Sequence, residues 1–531
     1  MGRYTFPLVI FILLSVSGSG QNNKPDLTGV RKYNALMQMI KFAYVDTVNE
    51  SKLVEKAIVE TLKEMDPHSM YISKKDLKRA NEELVGNFEG IGVQFEILRD
   101  TINIVHPIPG GPSERLGILS GDKIIKIEAE NVTGKKITNQ FVFDRLRGKK
   151  GTKVNVSIYR SGKKDLIDFT IVRDKIPINS IDAAYIIEPG IGYINLTRFS
   201  STSMKEFTDA MLKLKEQGMQ SLILDLRNNG GGYMNTAIEL ADQFLEARKL
   251  IVYTQGRMSA REDYYSTDKG MFEKGKVVIM INENSASASE IVSGAIQDLD
   301  RGIIVGRRSF GKGLVQRPFQ LPDSSEVRLT TARYFTPSGR CIQKSYSEGV
   351  DKYYEDYSTR FKHGEMENSD SIKFPDSLKY RTSKGRIVYG GGGIMPDVFI
   401  PLDTTPFTDY FLNLRRKNVI NLFVGEYVDI NRKDLQKKYP DFDLFDKKFI
   451  IDDDFMKDFL SLAEKQGVKM NEKEYGLSGT LIKAQIKSLI AQKLWDVNAS
   501  YKIINREDRE VQKAIGVIKD AAAFDKLGLQ R

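Results

Sequence analysis

The stretch VVIMINENSASASEIVSGA, residues 277–295, is where the architecture of this chain can be read. Val277, Val278, Ile279, Met280 and Ile281 make the short apolar run of a buried strand, a turn of small and polar residues follows, and a helix opens at Ala288. The same alternation precedes it, with strands at 191–196 and 221–226 and helices at 203–217 and 235–246. Strands that alternate with helices in this way signal βα units on a largely parallel sheet. Ser287 stands in the turn of this unit, and Lys312 stands in a second small-residue turn, GKG at 311–313. A hydroxyl and an amine held in this way suggest a serine nucleophile with a lysine base. The chain has only three histidines, His68, His106 and His363, and none stands in a recognisable catalytic turn, so a Ser-His-Asp hydrolase is a poor reading. His68, in DPHS at 66–69, reads as a turn-capping or packing residue.

A serine hydroxyl is a weak nucleophile at neutral pH and needs an adjacent base to take its proton. Lysine serves only when neutral, and desolvation supplies that condition by lowering its pKa. Phe310 and Leu314, beside Lys312, are candidates for the apolar wall. Gln316, four residues after Lys312, shares its face in a helix or a strand and can orient the amine. A second turn, LDLRNNGGG at 224–232, ends one strand and starts a helix. Its backbone amides form an anion-binding concavity. The glycine spacing lacks the G-x-G-x-x-G fingerprint and the Walker lysine, so a nucleotide site is not indicated. In a serine hydrolase such amides stabilise the oxyanion, each worth about a hundred- to a thousand-fold in rate. Asp225 and Arg227 read as an ion pair bracing this turn. A third feature, Gly90-Ile91-Gly92-Val93 followed by SGDKIIKI, has the exposed amides and adjoining strand that bind a peptide's terminal carboxylate.

With 531 residues the chain is long enough for about three domains. Its net charge of +10 is spread without a long basic run, which argues against nucleic acid as a partner. Residues 1–20 hold an early arginine, an apolar run and then small residues, the layout of a secretory signal, cleaved somewhere beyond Val16 or retained as an anchor. No cysteine follows that run, so a lipid anchor is not expected, and the single Cys341 excludes an internal disulfide. Cys341 reads as a small, partly buried strand residue. The expected order is a helical region at 21–84, a compact β-rich domain at 85–177, the α/β core at 178–403 and a mostly helical region at 404–531. The polar, tyrosine-rich segment at 344–386 reads as a surface insertion in the core.

Together these features resemble the C-terminal processing (tail-specific) peptidases, serine-lysine endopeptidases that carry a PDZ domain. DPHS, GIGV with SGDKI, DLRNNGGG, NENSASASE, GKGLVQ, and TPSGRCIQ with GGIMPDV occur in the family's order. The resemblance implies a multidomain α+β protein with a PDZ domain at 85–177 and a protease core of crotonase-like ββα units. It implies Ser287 as nucleophile, Lys312 as general base and Gln316 as its orienting residue. It places the oxyanion hole at the Ala288 amide and an amide of Gly230, Gly231 or Gly232, and the PDZ carboxylate loop at Ile91, Gly92 and Val93. The family's spacing selects Ser287 over Ser285 and Ser289, and Glu290 is expected to fix the start of the helix. Expected substrates are polypeptides with free apolar C-terminal tails, handled in the periplasm or cell envelope without metal or organic cofactor. A homodimer and an adaptor protein are further implied partners. Two other readings remain: a catalytically silent PDZ scaffold for peptides, and a ligand-binding protein using the core as an apolar cleft. The insertion at 344–386 departs from the family pattern.

Overall fold

The computed structural model describes residues 28–134 and 136–528, so the signal expected at 1–20 lies outside the described residues. The described residues up to Thr61 belong to one compact unit, whose helix Thr28–Ala43 buries no side chain. The second unit, from Leu62 onward, holds the rest of the described fold.

Its centre is a six-stranded sheet running Ile181–Glu188, Ile191–Leu196, Ser221–Asp225, Lys276–Ile281, Ile303–Gly306 and Val398–Phe399. The first pair is antiparallel and every later pair parallel. Central strands of such a sheet are covered on both faces and so read as continuous apolar runs. Every residue of Ile191–Leu196 is buried for that reason. The helices Ser203–Glu216, Met234–Asp242 and Ala288–Asp298 cover one face, through Phe207, Leu240 and Val292. The other face, with Tyr193, Ile223, Val278 and Met280, is covered by Val511, Ala514, Ile515 and Ile518 of the helix Arg509–Lys519. The end of the C-terminal region is therefore built into the core. The rest of that region packs around its own core of Phe423, Phe445, Phe459 and Ile486. Asp441, Asp452, Asn471 and Asp496 each accept a backbone N–H at the start of a helix there, satisfying donors the helix itself cannot.

A second sheet carries Leu314–Gln320 and the long strand Glu326–Phe335. Met70–Ile72, directly after the DPHS turn, pairs with that long strand, Met70 opposite Arg328. A three-residue strand is too short for a periodic signal, which is why an all-helical segment was expected there.

The β-rich domain matches its expected elements closely. Val93–Leu98 is the edge strand of its main sheet, and the helix Asn139–Leu146 was expected with these bounds. An antiparallel pair, Asn87–Gly90 with Asp174–Pro177, carries the chain in and out.

Two expectations need correction. Residues 344–386, expected as a surface insertion, pack into the core: they carry the helix Val350–Lys362 and the strand Lys379–Arg381, which forms a hairpin with Ile387–Tyr389, and they bury Tyr353, Arg360 and Met366. Their polarity misled because the buried groups are paired, Arg360 donating to the carbonyls of Arg308 and Ser309. Cys341 is partly buried as expected but lies outside any strand.

Candidate active site

The strand Lys276–Ile281 runs straight into the helix Ala288–Asp298, and the turn between them forces Ser287 to φ 56° and ψ −111°. A residue with a side chain is rarely found there, and such strain persists only where the surroundings over-determine it. Two turns supply that determination. Ser285 Oγ donates to the Leu226 carbonyl at 2.8 Å, Ser289 Oγ to the Asn229 carbonyl at 2.9 Å, and Ala286 N to the same carbonyl at 3.0 Å. The two serines that flank Ser287 are thus buried and committed to stitching 282–290 onto 224–232, while Ser287 lines a cavity.

Glu290 closes the arrangement. Its Oε2 accepts from the amides of Ser287 and Lys312, each at 2.9 Å, and its Oε1 from Ser309 Oγ at 2.5 Å and Gly311 N at 2.7 Å. Burial pushes this carboxyl's pKa up and the four donors oppose the shift. Both carboxyl oxygens are thus doubly engaged. It does more than fix a helix start: it locks the Ser287 turn to the Lys312 turn. Tyr334, whose hydroxyl lies 2.6 Å from the Lys312 carbonyl and 3.1 Å from that of Ser287, spans the same two turns and was not foreseen from sequence.

Lys312 Nζ donates to Gln316 Oε1 at 3.3 Å, and Gln316 Nε2 donates to the backbone carbonyl of His68. Burial lowers the lysine pKa; Glu290 and Asp66 oppose this, and Arg328 adds to it. His68 is itself lowered to about 4, by burial first and then by Lys312, so it is a neutral packing residue as expected. What the sequence did not reveal is that its carbonyl orients the glutamine.

Ser287, Lys312, Gln316, Gly230 and Gly232 all line one cavity of about 360 Å³, with Met234, Ile291 and Leu314 as apolar wall. Gly231, at φ 100°, backs onto the serine so closely that a Cβ there would lie 2.9 Å from Ser287 Cβ and 3.0 Å from Ala288 N. Its own amide donates to Asn229 Oδ1 at 2.9 Å. Asp225 and Arg227 form the expected ion pair, at 2.7 Å, and Arg227 continues to Asp508 and Glu510 at the C-terminal helix.

Ile91, Gly92 and Val93 lie outside this cavity. Gly92 turns at φ 74°, its carbonyl accepts from Ile108 N, and that of Ile91 accepts from Ser113 Oγ at 2.6 Å. The edge strand that follows faces the helix Asn139–Leu146, with the Phe95 and Phe143 rings 5.7 Å apart.

A parallel-sheet core with a strained serine turn and a half-buried lysine on one cavity, beside a β-rich domain with an open edge strand, is the layout of a serine-type peptidase. Comparison with known proteins gives the family. Residues 190–355 match peptidase family S41, residues 90–171 the PDZ domain, and residues 410–496 a family of unknown function. The chain is 34% identical to the carboxy-terminal-processing protease of Bartonella bacilliformis over 337 residues, 62% of this chain and 76% of that protein. It is 35% identical to the carboxy-terminal processing protease CtpA of Bacillus subtilis over 341 residues, 64% of this chain and 72% of that one. The solved PDZ domain of a carboxy-terminal protease from Vibrio cholerae, in complex with peptide, is 33% identical and covers 17% of this chain and 97% of that domain, with a TM-score of 0.16. The chain belongs to the carboxy-terminal processing proteases of family S41.

Proposed function

We propose that this peptidase works by acyl-enzyme chemistry with Ser287 as nucleophile and Lys312 as general base. The observation that carries this reading is the shared cavity in which Ser287, the half-buried Lys312 and Gln316 meet beside the glycine turn. Neutral Lys312 takes the Ser287 Oγ proton as the oxygen attacks the scissile carbonyl. The Ala288 amide and an amide of Gly230 or Gly232 hold the resulting oxyanion; Gly231 serves by leaving room, since its own N–H is engaged by Asn229. The lysine ammonium then protonates the departing amine. In the second half-reaction the lysine deprotonates a water that hydrolyses the ester.

In the same reading the PDZ loop at Ile91, Gly92 and Val93 binds the substrate's carboxylate while its tail adds to the edge strand Val93–Leu98. The layout of residues 1–20 supports export to the periplasm or cell envelope. Strand–strand–helix units of crotonase type for the core, a homodimer and an adaptor protein belong to the same proposal. Sedimentation of the mature chain, alone and with substrate, tests the dimer. Ser287→Ala and Lys312→Ala should each abolish cleavage of an unfolded, tailed substrate while tail binding persists. Cleavage by Lys312→Ala at the parental rate would contradict the base assignment.

A further inference from the structure

The segment 344–386 grips the active site from two directions. Its helix Val350–Lys362 reaches the DPHS turn: Tyr353 Oη lies 2.7 Å from His68 Nε2, and Tyr354 Oη donates to the Pro67 carbonyl at 2.7 Å. It also reaches the turn that carries Lys312, where Arg360 donates to the carbonyls of Arg308, at 2.6 Å, and Ser309, at 3.2 Å. Between the two, the Phe310 and Tyr353 rings meet edge to face at 5.8 Å, and the His68 and Tyr353 rings at 5.3 Å. The Lys344 ammonium sits 4.0 Å above Phe310 and 4.2 Å above Tyr353, paired with Asp356 at 2.9 Å. Gln343, just before the segment, accepts from Gly313 N at 2.8 Å, one residue after Lys312.

We infer that Tyr353 is a positioning residue for the catalytic amine, acting through His68 and Gln316. The inference rests on the Ser287–Lys312 reading. The Tyr353 hydroxyl and His68 Nε2 share one hydrogen bond at 2.7 Å, and Gln343 Nε2 faces the same phenol oxygen at 3.5 Å. That bond pins the 66–69 turn, whose Asp66 Oδ1 accepts from His68 N and Ser69 N at 2.8 Å each. The pinned His68 carbonyl accepts from Gln316 Nε2, which fixes the amide so that Oε1 faces Lys312 Nζ. A neutral amine has two N–H donors and one lone pair. With Gln316 taking one donor, rotation is restricted and the lone pair can be presented to Ser287. The charged and titratable groups facing Lys312 are Glu290, Asp66, Arg328 and His68, and those facing His68 are Lys312, Asp66 and Lys344. Loosening the turn admits water to the amine, and water favours the ammonium.

The experiment compares steady-state cleavage and its pH dependence in the full chain for the parent, Tyr353→Phe, and Tyr357→Phe, an exposed tyrosine on the same helix. Tyr353→Phe keeps the ring and removes only the hydroxyl. It is expected to lower kcat about five- to tenfold, the scale of one hydrogen bond, with KM unchanged. The acid limb of kcat should move to higher pH, while Tyr357→Phe matches the parent. Parental kcat and limb in Tyr353→Phe would overturn the inference and leave the Ser-Lys reading standing, provided Ser287→Ala and Lys312→Ala are inactive. A lower kcat without movement of the limb would make Tyr353 merely structural and overturn it as well. Activity in Lys312→Ala would remove both.

Discussion

Ser287 holds a backbone conformation that costs of order 1–3 kcal/mol for a residue with a side chain. Glycine at this position relieves it, so Ser287→Gly should raise the melting temperature by a few degrees while abolishing turnover; calorimetry beside an activity assay checks both. Lys312 stores free energy of a second kind. Burial lowers its folded pKa below the ordinary value of 10.5, so the unfolded chain binds the proton more readily. The cost is full below the lowered folded value and fades as pH rises from there through 10.5. Lys312→Met should therefore stabilise the fold at neutral pH and lose that advantage in strongly alkaline buffer, as melting curves across pH would show. Catalysis follows the opposite side of the same titration: kcat/KM should rise with pH as the amine deprotonates, with its midpoint below the ordinary lysine value. Glu290 is the residue on which both depend. Glu290→Gln places an NH2 against backbone donors, and it should cost roughly 1–3 kcal/mol of stability together with most of the activity.

Among elements, the βα unit at 276–298 was legible because its strand is apolar on both faces and its helix begins at a small-residue turn. Lys312 and Gln316 were legible as a spacing, and a bond of 3.3 Å joins them, but nothing in the sequence marked the His68 carbonyl as Gln316's other partner. That contact depends on Met70–Ile72 joining Glu326–Phe335, a pairing across nearly half the chain that local periodicity cannot encode. The insertion was misread for a related reason: tyrosine, arginine and lysine suggest solvent until their partners are known. In the PDZ domain, the Gly92 turn opens onto an edge strand, so tail capture should depend on the terminal charge. Amidating the C-terminus of an apolar tail peptide is expected to weaken its binding, measured by titration calorimetry; equal affinity for acid and amide would contradict a carboxylate loop.

At the scale of the molecule, the C-terminal region was legible as helices but not as part of the protease. Its amphipathic faces were visible, whereas the apolar face of the sheet that receives them was hidden in strands that read as apolar all round. Ile515→Ala should destabilise the core by about 2–4 kcal/mol, seen as a lower melting temperature, although it lies far from Ser287 in sequence. Arg227 and Arg307 both bond Glu510 of the same helix and are paired from the sheet side by Asp225 and Glu283, so the helix is tied electrostatically to both active-site turns. The PDZ domain is held to the C-terminal helices by three ion pairs, Arg99–Glu426 at 2.7 Å, Lys493–Glu96 at 3.0 Å and Lys123–Asp429 at 3.3 Å. The PDZ domain and the protease core thus share one frame, and the central claim is that Ser287 and Lys312 do the cutting. Mass spectrometry of the products from an unfolded protein with a free apolar C-terminal tail tests this most directly, with the parent, Ser287→Ala and Lys312→Ala run side by side. Cleavage by the parent alone is the predicted result; cleavage by either variant at the parental rate would contradict the account.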